Sequence, residues 1–530
     1  MTRFYTAGAA VRAILVLAGL SLIGACAPGV LPPAPAPAPA ADPEPAPERE
    51  PAAGLPAIPR VEGPLQIRVV HPTPATPRPN VRSTFVYGSV GTGAAMLTIN
   101  GTAVDVHPNG AFLAFLPVPA DGRWELTAEA GGRTASTVAS YRIPTPDAAV
   151  RPVETITFPR PLTGVVTGGA DTLATGSDAA IGRPTPTGAY RWFLPRGSRL
   201  TLTARRGELV SAQLAGGTEA WFPANAVTLG EPAPGAAQPR PAEVNVAPAA
   251  EWVDLRVAAG GAPFLIDARE DRLTLTVYGA TAPRQAISTP AGELVGPVRA
   301  RDEPGVGMRV EAALARQLWG YKAFYEQDGT LVLRLRRPPS VDTRRPLQGL
   351  RVVIDPGHPP AGATGPTGLT EAEANLAIAL PIAEMLRREG AAVTLTRTHN
   401  VSVSLVERVN LAAAVDAHLL ISVHNNAFGE GVNPIQRHGT STYYFHPHAA
   451  GLARELQREL QTTTLIPDLG ALTGNLAMVR PTWMPAVLTE SLFMAIPEQE
   501  AALRNPDFLN RLATAHLRGI EAFVRASAAQ

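Results

Sequence analysis

Two histidines and two glutamates in the last third of the chain have the types and placing that metal-assisted hydrolysis requires. His358 stands in LRVVIDPGHPP, Glu371 in LTEAEANLAIA, His424 in HLLISVHNN and Glu490 in PAVLTE. Imidazole nitrogens and a carboxylate oxygen are good zinc donors, and three protein ligands leave a position for water, as a catalytic rather than a structural site needs. His358, Glu371 and His424 make such a set. Glu490 is then available to take a proton from that water. Glu373 competes with Glu371 as a ligand, but Thr370-Glu371-Ala372-Glu373 fits a capping box in which Glu373 reaches back to the Thr370 amide. That leaves Glu371 free for metal.

For these groups to meet, the elements that carry them must bring them to one edge. LRVVI reads as a strand, and EAEANLAIALPIAEMLRREG is apolar at helical spacing and stops at Gly390. AAVTLTR, a helical SLVERVNLAAAVDA and the strand HLLISVHNN follow. GTSTYYF, a helix through GLARELQRELQ, the strands LAMV and PAVLTE, and a helix around 505–525 complete the series. Strands alternating with helices predict an α/β domain with a mostly parallel sheet over 347–530. His358, His424 and Glu490 each end a strand, where open α/β sheets bind ligands. Pro381 lies inside the first helix and is expected to cost about 3 kcal/mol unless the helix kinks or restarts there. His446-Pro447-His448 reads as a proline-containing loop despite its metal-like spacing. His399, His418, His438 and His516 read as surface or packing residues.

Through VVIDPGH, GATGPTGLTEAEANLAIA, LTR, LVERVNLA, ISVHNNA, GTSTYYF and PAVLTE, the segment 348–528 resembles the zinc-dependent N-acetylmuramoyl-L-alanine amidases of bacterial cell-wall turnover. The resemblance implies Zn2+ on His358, Glu371 and His424, with Glu490 as the catalytic glutamate. It implies peptidoglycan as substrate, cut at the amide between N-acetylmuramic acid and the L-alanine of the stem peptide. Two departures bear on loop shape and substrate fit: Pro359-Pro360 stands where the family has Gly-Gly, and SLFMAIP follows Glu490. A zinc peptidase acting within the stem peptide, or a non-catalytic wall-binding lipoprotein, are the alternative readings. Only AFGEGVNPIQRH separates HNN from GTSTYYF, too little for the blocking helix that some relatives insert there, so activity without an activator is expected.

Upstream, composition frames the rest. A chain of 530 residues holds three or four domains at about 150 residues each. The formal net charge of +1 offers nothing to a polyanion, which argues against nucleic acid as a partner. Arg3 and Arg12 precede the apolar AILVLAGLSLIGA, a signal-peptide pattern over 1–25. Leu22-Ile23-Gly24-Ala25-Cys26 resembles a lipoprotein lipobox, which implies lipidation of Cys26, the one cysteine in the chain, and a membrane held through that anchor. Ala27 in place of a retention aspartate points to the periplasmic side of the outer membrane. Residues 26–63 read as a Pro/Ala-rich tether, and 231–250 as a linker. Between them, 64–146 predicts a β-sandwich-like module with hairpin signals at Asn100-Gly101 and Asn109-Gly110. Residues 155–230 resemble an SH3-like β module, and 251–340 resemble a β-rich wall-targeting module.

Overall fold

A computed structural model describes residues 53–143, 153–168, 179–233, 241–290 and 294–528. The signal-like run, Cys26 and most of the Pro/Ala tract lie outside the described residues.

The C-terminal region is built from β1 (Arg351–Pro356), α1 (Glu371–Arg388), β2 (Ala392–Leu395), α2 (Leu405–Ala414), β3 (Leu419–Asn426), β4 (Thr440–Tyr444), α3 (Ala450–Thr464), β5 (Asp468–Thr473), β6 (Ala486–Phe493), α4 (Pro497–Ala502) and α5 (Pro506–Ala528). The sheet order is β2-β1-β3-β6-β4-β5. Strands β2, β1, β3 and β6 run parallel, β4 joins β6 antiparallel, and β5 runs parallel to β4. The sheet is therefore mixed, with parallel pairs predominating. Val352 and Ile354 face a core shared with α1, α3 and α5, while Val353 between them faces Val409 and Ala412 of α2. A strand covered on both faces needs no polar alternation, which is why Val352-Val353-Ile354 is apolar without interruption. Helix α1 continues through Pro381. Pro381 and Ala377, the residue whose carbonyl loses its partner, are both half-buried, so water can reach that carbonyl.

Among the described residues before β1, the regular elements are all β strands apart from one 3-10 turn at Ala224–Ala226. Residues 64–143 make two antiparallel sheets. One consists of Arg68–His71, Ser83–Ser89 and Ala111–Pro117; the other of Thr102–Val104, Met96–Ile99, Arg123–Ala130 and Arg133–Ser140. Further along, a five-stranded antiparallel sheet and two four-stranded sheets share a single hydrophobic cluster reaching from Val166 to Leu335. Trp192 Nε1 donates to the Tyr278 hydroxyl across that cluster at 3.0 Å. The second and third β regions thus have one core in common.

That β unit also reaches into the C-terminal domain. Trp319 is fully buried in the cluster formed by β1, α1, α3 and α5, stacks on Phe523 with ring centroids 5.2 Å apart, and donates from Nε1 to the His418 carbonyl at 2.8 Å. The Tyr321 amide donates to Thr482 O, and Arg336 donates to Ala417 O and to the Asp416 carboxylate.

The His446-Pro447-His448 segment is more buried than a surface loop. Pro447–Ala449 is a 3-10 turn, and the two imidazoles are buried and stacked nearly parallel, centroids 5.4 Å apart. Burial lowers His446, and His516 in α5, to a pKa of about 4; burial and then the Arg336 and Arg351 charges do the same for His418. The unfolded chain binds these protons more readily than the fold does. Stability is thus fully present above the ordinary histidine value and declines as pH falls from about 6.5 towards 4, by up to about 1.4 kcal/mol per pH unit for each residue. Thermal denaturation across this window should show a midpoint that drops steadily with acid. A flat midpoint would mean that these histidines charge without unfolding.

Candidate metal centre

The end of β1 is shaped by what lies beneath it. Asp355 is fully buried and accepts from Arg408 Nη1 of α2 at 2.6 Å and from Ser422 Oγ of β3 at 2.6 Å. The Arg408 guanidinium then donates to the carbonyls of Pro356, His358 and Pro359. Arg397, after β2, donates to the Pro356, Gly357 and Ala372 carbonyls, and burial lowers its pKa to about 10. Two guanidiniums therefore hold every carbonyl from 356 to 359. A buried segment with that many outward carbonyls needs such donors.

On this platform His358 adopts a left-handed backbone, φ +56°. Its Nδ1 lies 3.0 Å from Pro360 O, and its Nε2 lies 3.3 Å from Glu371 Oε1. Protonated on both nitrogens, the ring donates from Nε2 to Glu371; protonated on Nδ1 alone, and held by the Pro360 carbonyl, it presents the Nε2 lone pair to the site, the arrangement usual for a metal-binding histidine. The neighbouring Gly357 cannot carry a side chain, because a Cβ there would stand 2.2 Å from His424 Nε2. This explains the glycine of the Asp-Pro-Gly-His run.

Glu371 is buried in the first turn of α1. Its Oε1 is 3.1 Å from His424 Nδ1, and its Oε2 accepts from the Ala363 amide at 2.9 Å. Burial works against this carboxylate, but the hydrogen bonds to His358 and His424 outweigh it and hold the pKa below the usual carboxylate range. Asn375, one turn further along α1, donates to Gly357 O and accepts from Asn425 of β3. Donor atoms of His358, Glu371 and His424 all lie within 4.8 Å of one another, the one such group among the described residues. Glu373 is instead in both halves of a capping box with Thr370. Its carboxylate accepts from the Thr370 amide at 3.0 Å and faces away from this cluster's bonding.

Glu490 lies directly opposite His424 in the β3–β6 register, so the two side chains share a face. Its Oε2 is shielded from solvent and has no hydrogen-bond partner. Burial, and secondarily the charge of Glu371, raise its pKa well above the ordinary carboxyl value. Two imidazoles and a carboxylate within 4.8 Å of one another, with an orphaned carboxyl oxygen in register with His424, are a donor set that suits a zinc ion.

Sequence reasoning placed His358, Glu371, His424 and Glu490, and the fold brings them to one edge. It gave no role to Asp355, Arg397, Arg408, Asn375 or Asn425, although the segments LTR and LVERVNLA carry both arginines. Arg408, a charge on the face of α2 that also carries Val409 and Ala412, was the available signal; Arg397 follows a strand and offered none. The loop 427–439 after His424 contains no helix.

The sequence model of the N-acetylmuramoyl-L-alanine amidase family matches residues 352–522. N-acetylmuramoyl-L-alanine amidase LytC of Bacillus subtilis (strain 168) is 32% identical over 199 residues, which cover 35% of this chain and 39% of LytC. The uncharacterized protein YqiI of the same organism is 30% identical over 197 residues, covering 36% of this chain and 93% of YqiI. Among solved structures, the catalytic domain of CwlV, an N-acetylmuramoyl-L-alanine amidase from Bacillus (Paenibacillus) polymyxa var. colistinus, is 32% identical over 33% of this chain and 97% of that one, with a TM-score of 0.31. The chain thus spans about two fifths of LytC but nearly all of YqiI.

Proposed function

The chain belongs to the N-acetylmuramoyl-L-alanine amidase family, and on that premise we propose that it hydrolyses the amide joining N-acetylmuramic acid to the L-alanine of peptidoglycan stem peptides. The observation that carries this reading is the convergence of His358, Glu371 and His424 within 4.8 Å of one another, with Glu490, whose Oε2 has no partner, in register with His424. We assign His358, Glu371 and His424 as ligands of Zn2+, which when bound supplies Lewis acidity to the lactyl carbonyl and lowers the pKa of a water.

The remaining work falls to the chain's own residues. Glu490 accepts the proton of the attacking water at Oε2 and returns it to the departing L-alanine nitrogen, so the amine leaves neutral. Its raised pKa is in the direction that a base working near neutral pH requires. Asn375 and Asn425 hold the Glu371 side of the cluster, and Arg397 and Arg408 keep the His358 turn from shifting.

The same reading extends to the rest of the chain. We take 1–25 as a lipoprotein signal, Cys26 as the lipidated residue and 26–63 as a tether reaching the wall from the periplasmic side of the outer membrane. We take 64–146 as a β-sandwich-like module, 155–230 as SH3-like and 251–340 as wall-targeting; the expected linker over 231–250 is corrected, since Val244–Pro248 is a strand paired with Trp252–Val257 and Ala242 and Val244 lie in the core that the two regions share. No activator is required on this view, because the loop after His424 has no blocking helix.

Digestion of purified peptidoglycan by the full chain tests the activity. The expected products are free L-alanine N-termini and peptide-free glycan, abolished by chelation and restored by zinc. New N-termini at other stem positions would identify a peptidase instead, and no product from a zinc-loaded chain would leave a wall-binding protein.

A further inference from the structure

The three-stranded sheet of the first β module is apolar on both faces. On Ser83–Ser89 and Ala111–Pro117, Val86, Phe112 and Ala114 point into the module's own core. Phe85, Tyr87, Leu113 and Phe115, at the alternate positions, point the other way and cluster with Phe428 and Ala495 of the C-terminal domain. An antiparallel sheet with water on its outer face would carry polar residues there. This one covers something.

What it covers is the set of segments leaving the metal edge. After β1, the Tyr87 hydroxyl donates to Thr364 O at 3.1 Å, one residue from the Ala363 amide that holds Glu371 Oε2. Burial pushes the Tyr87 pKa up to about 12, so it remains a donor. After β3, Phe428 lies against Phe85 with centroids 6.0 Å apart, while the Glu430 carboxylate accepts from Thr84 Oγ1 and lies 2.9 Å from His71 Nε2. Beyond Glu490, Phe493 stacks on Phe428 at 4.3 Å, and the Met494 amide closes onto Asn426 O. Neighbouring positions of one strand therefore touch the segments that follow His358, His424 and Glu490. None of these contacts is needed to close the sandwich core.

We propose that the first β module is a working part of the active edge, with Phe85 and Tyr87 as positioning residues that hold the 359–370 and 427–433 loops, and through them Glu371 and Glu490, in register. The hydrolysis readout rests on the amidase reading; the geometry does not.

The test uses the zinc-loaded full chain and a Phe85→Ala/Tyr87→Ala variant, measuring amide hydrogen exchange, metal content and peptidoglycan hydrolysis. Exchange in 359–370 and 427–433 should rise at least about tenfold, with metal retained and Arg123–Ala130 and Arg133–Ser140 still protected. The catalytic constant should fall about tenfold or more while KM changes little, within the ~10²-fold that an ångström of misplacement costs. Unchanged loop exchange and an unchanged catalytic constant would overturn the proposal. If the double variant unfolds the module, Tyr87→Phe decides: faster exchange around 363–371 supports the proposal, and parental exchange there overturns it. Loops that respond as expected in a chain that hydrolyses nothing would sink the amidase reading and leave this one standing.

Discussion

Glu490→Gln should lower amide hydrolysis by about 10²–10⁴-fold, the range for removing a positioned general acid–base, while binding as much zinc as the parent. Glutamine keeps the volume and the polar contact but cannot gain and lose a proton. The side chain is well placed for such a loss to matter, because Oε2 is buried without a partner and faces the edge where His424 stands in register. His424→Ala should behave in the opposite way, losing the metal and with it the activity. Metal analysis alongside hydrolysis separates the two. Equal metal loss in both variants would make Glu490 a ligand, not the base.

Trp319→Ala should destabilise the C-terminal domain by about 3–5 kcal/mol, although residue 319 precedes that domain in the chain. The indole is fully buried among the helices behind the sheet, stacks on Phe523 and donates to the His418 carbonyl. Removing it leaves a cavity and an orphaned carbonyl together. A denaturant titration of the full chain should show the loss in the unfolding step of the C-terminal domain. A fragment beginning at 347 should show a similar deficit, since it lacks the same ring. A change below about 1 kcal/mol would mean that the cavity collapses around Phe523.

The edge that gathers His358, His424 and Glu490 was legible because these residues sit at points where the local pattern breaks: each follows a run of branched apolar residues, and the capping box separates Glu373 from Glu371. The parallel pairs among β2, β1, β3 and β6 were legible for the same reason, since strands buried on both faces lack alternation, whereas β5 was not foreseen and LAMV, expected as a strand, holds the 3-10 turn Ala477–Val479. The antiparallel entry of β4 was not, because GTSTYYF carries nothing that fixes strand direction. Trp319 was invisible as a core residue of another domain, as burial by a distant segment leaves no periodic trace. The imidazoles of His446 and His448 were read as loop residues on the strength of Pro447, which instead starts a 3-10 turn beneath Tyr321. STFVYGS and AFLAFLP did carry a sign, since both are apolar at consecutive positions in what is otherwise an alternating region. Such a strand has two faces to bury and only one core of its own.

That doubly apolar strand has a consequence during synthesis. Thr84 meets Glu430 across 346 positions, and Tyr87 meets Thr364 across 277. At roughly 5–20 residues per second, the first module is finished on the order of tens of seconds before its counterpart leaves the ribosome. A module that folded in that interval would leave Phe85, Tyr87, Leu113 and Phe115 as an uncovered patch that invites association with other nascent chains. A chain exported on the signal-like run is kept unfolded until it has crossed the membrane, and its first module then folds with residue 430 at hand. Translation products cut short before that point keep the patch permanently, so incomplete copies carry their own mark for chaperone capture and proteolysis.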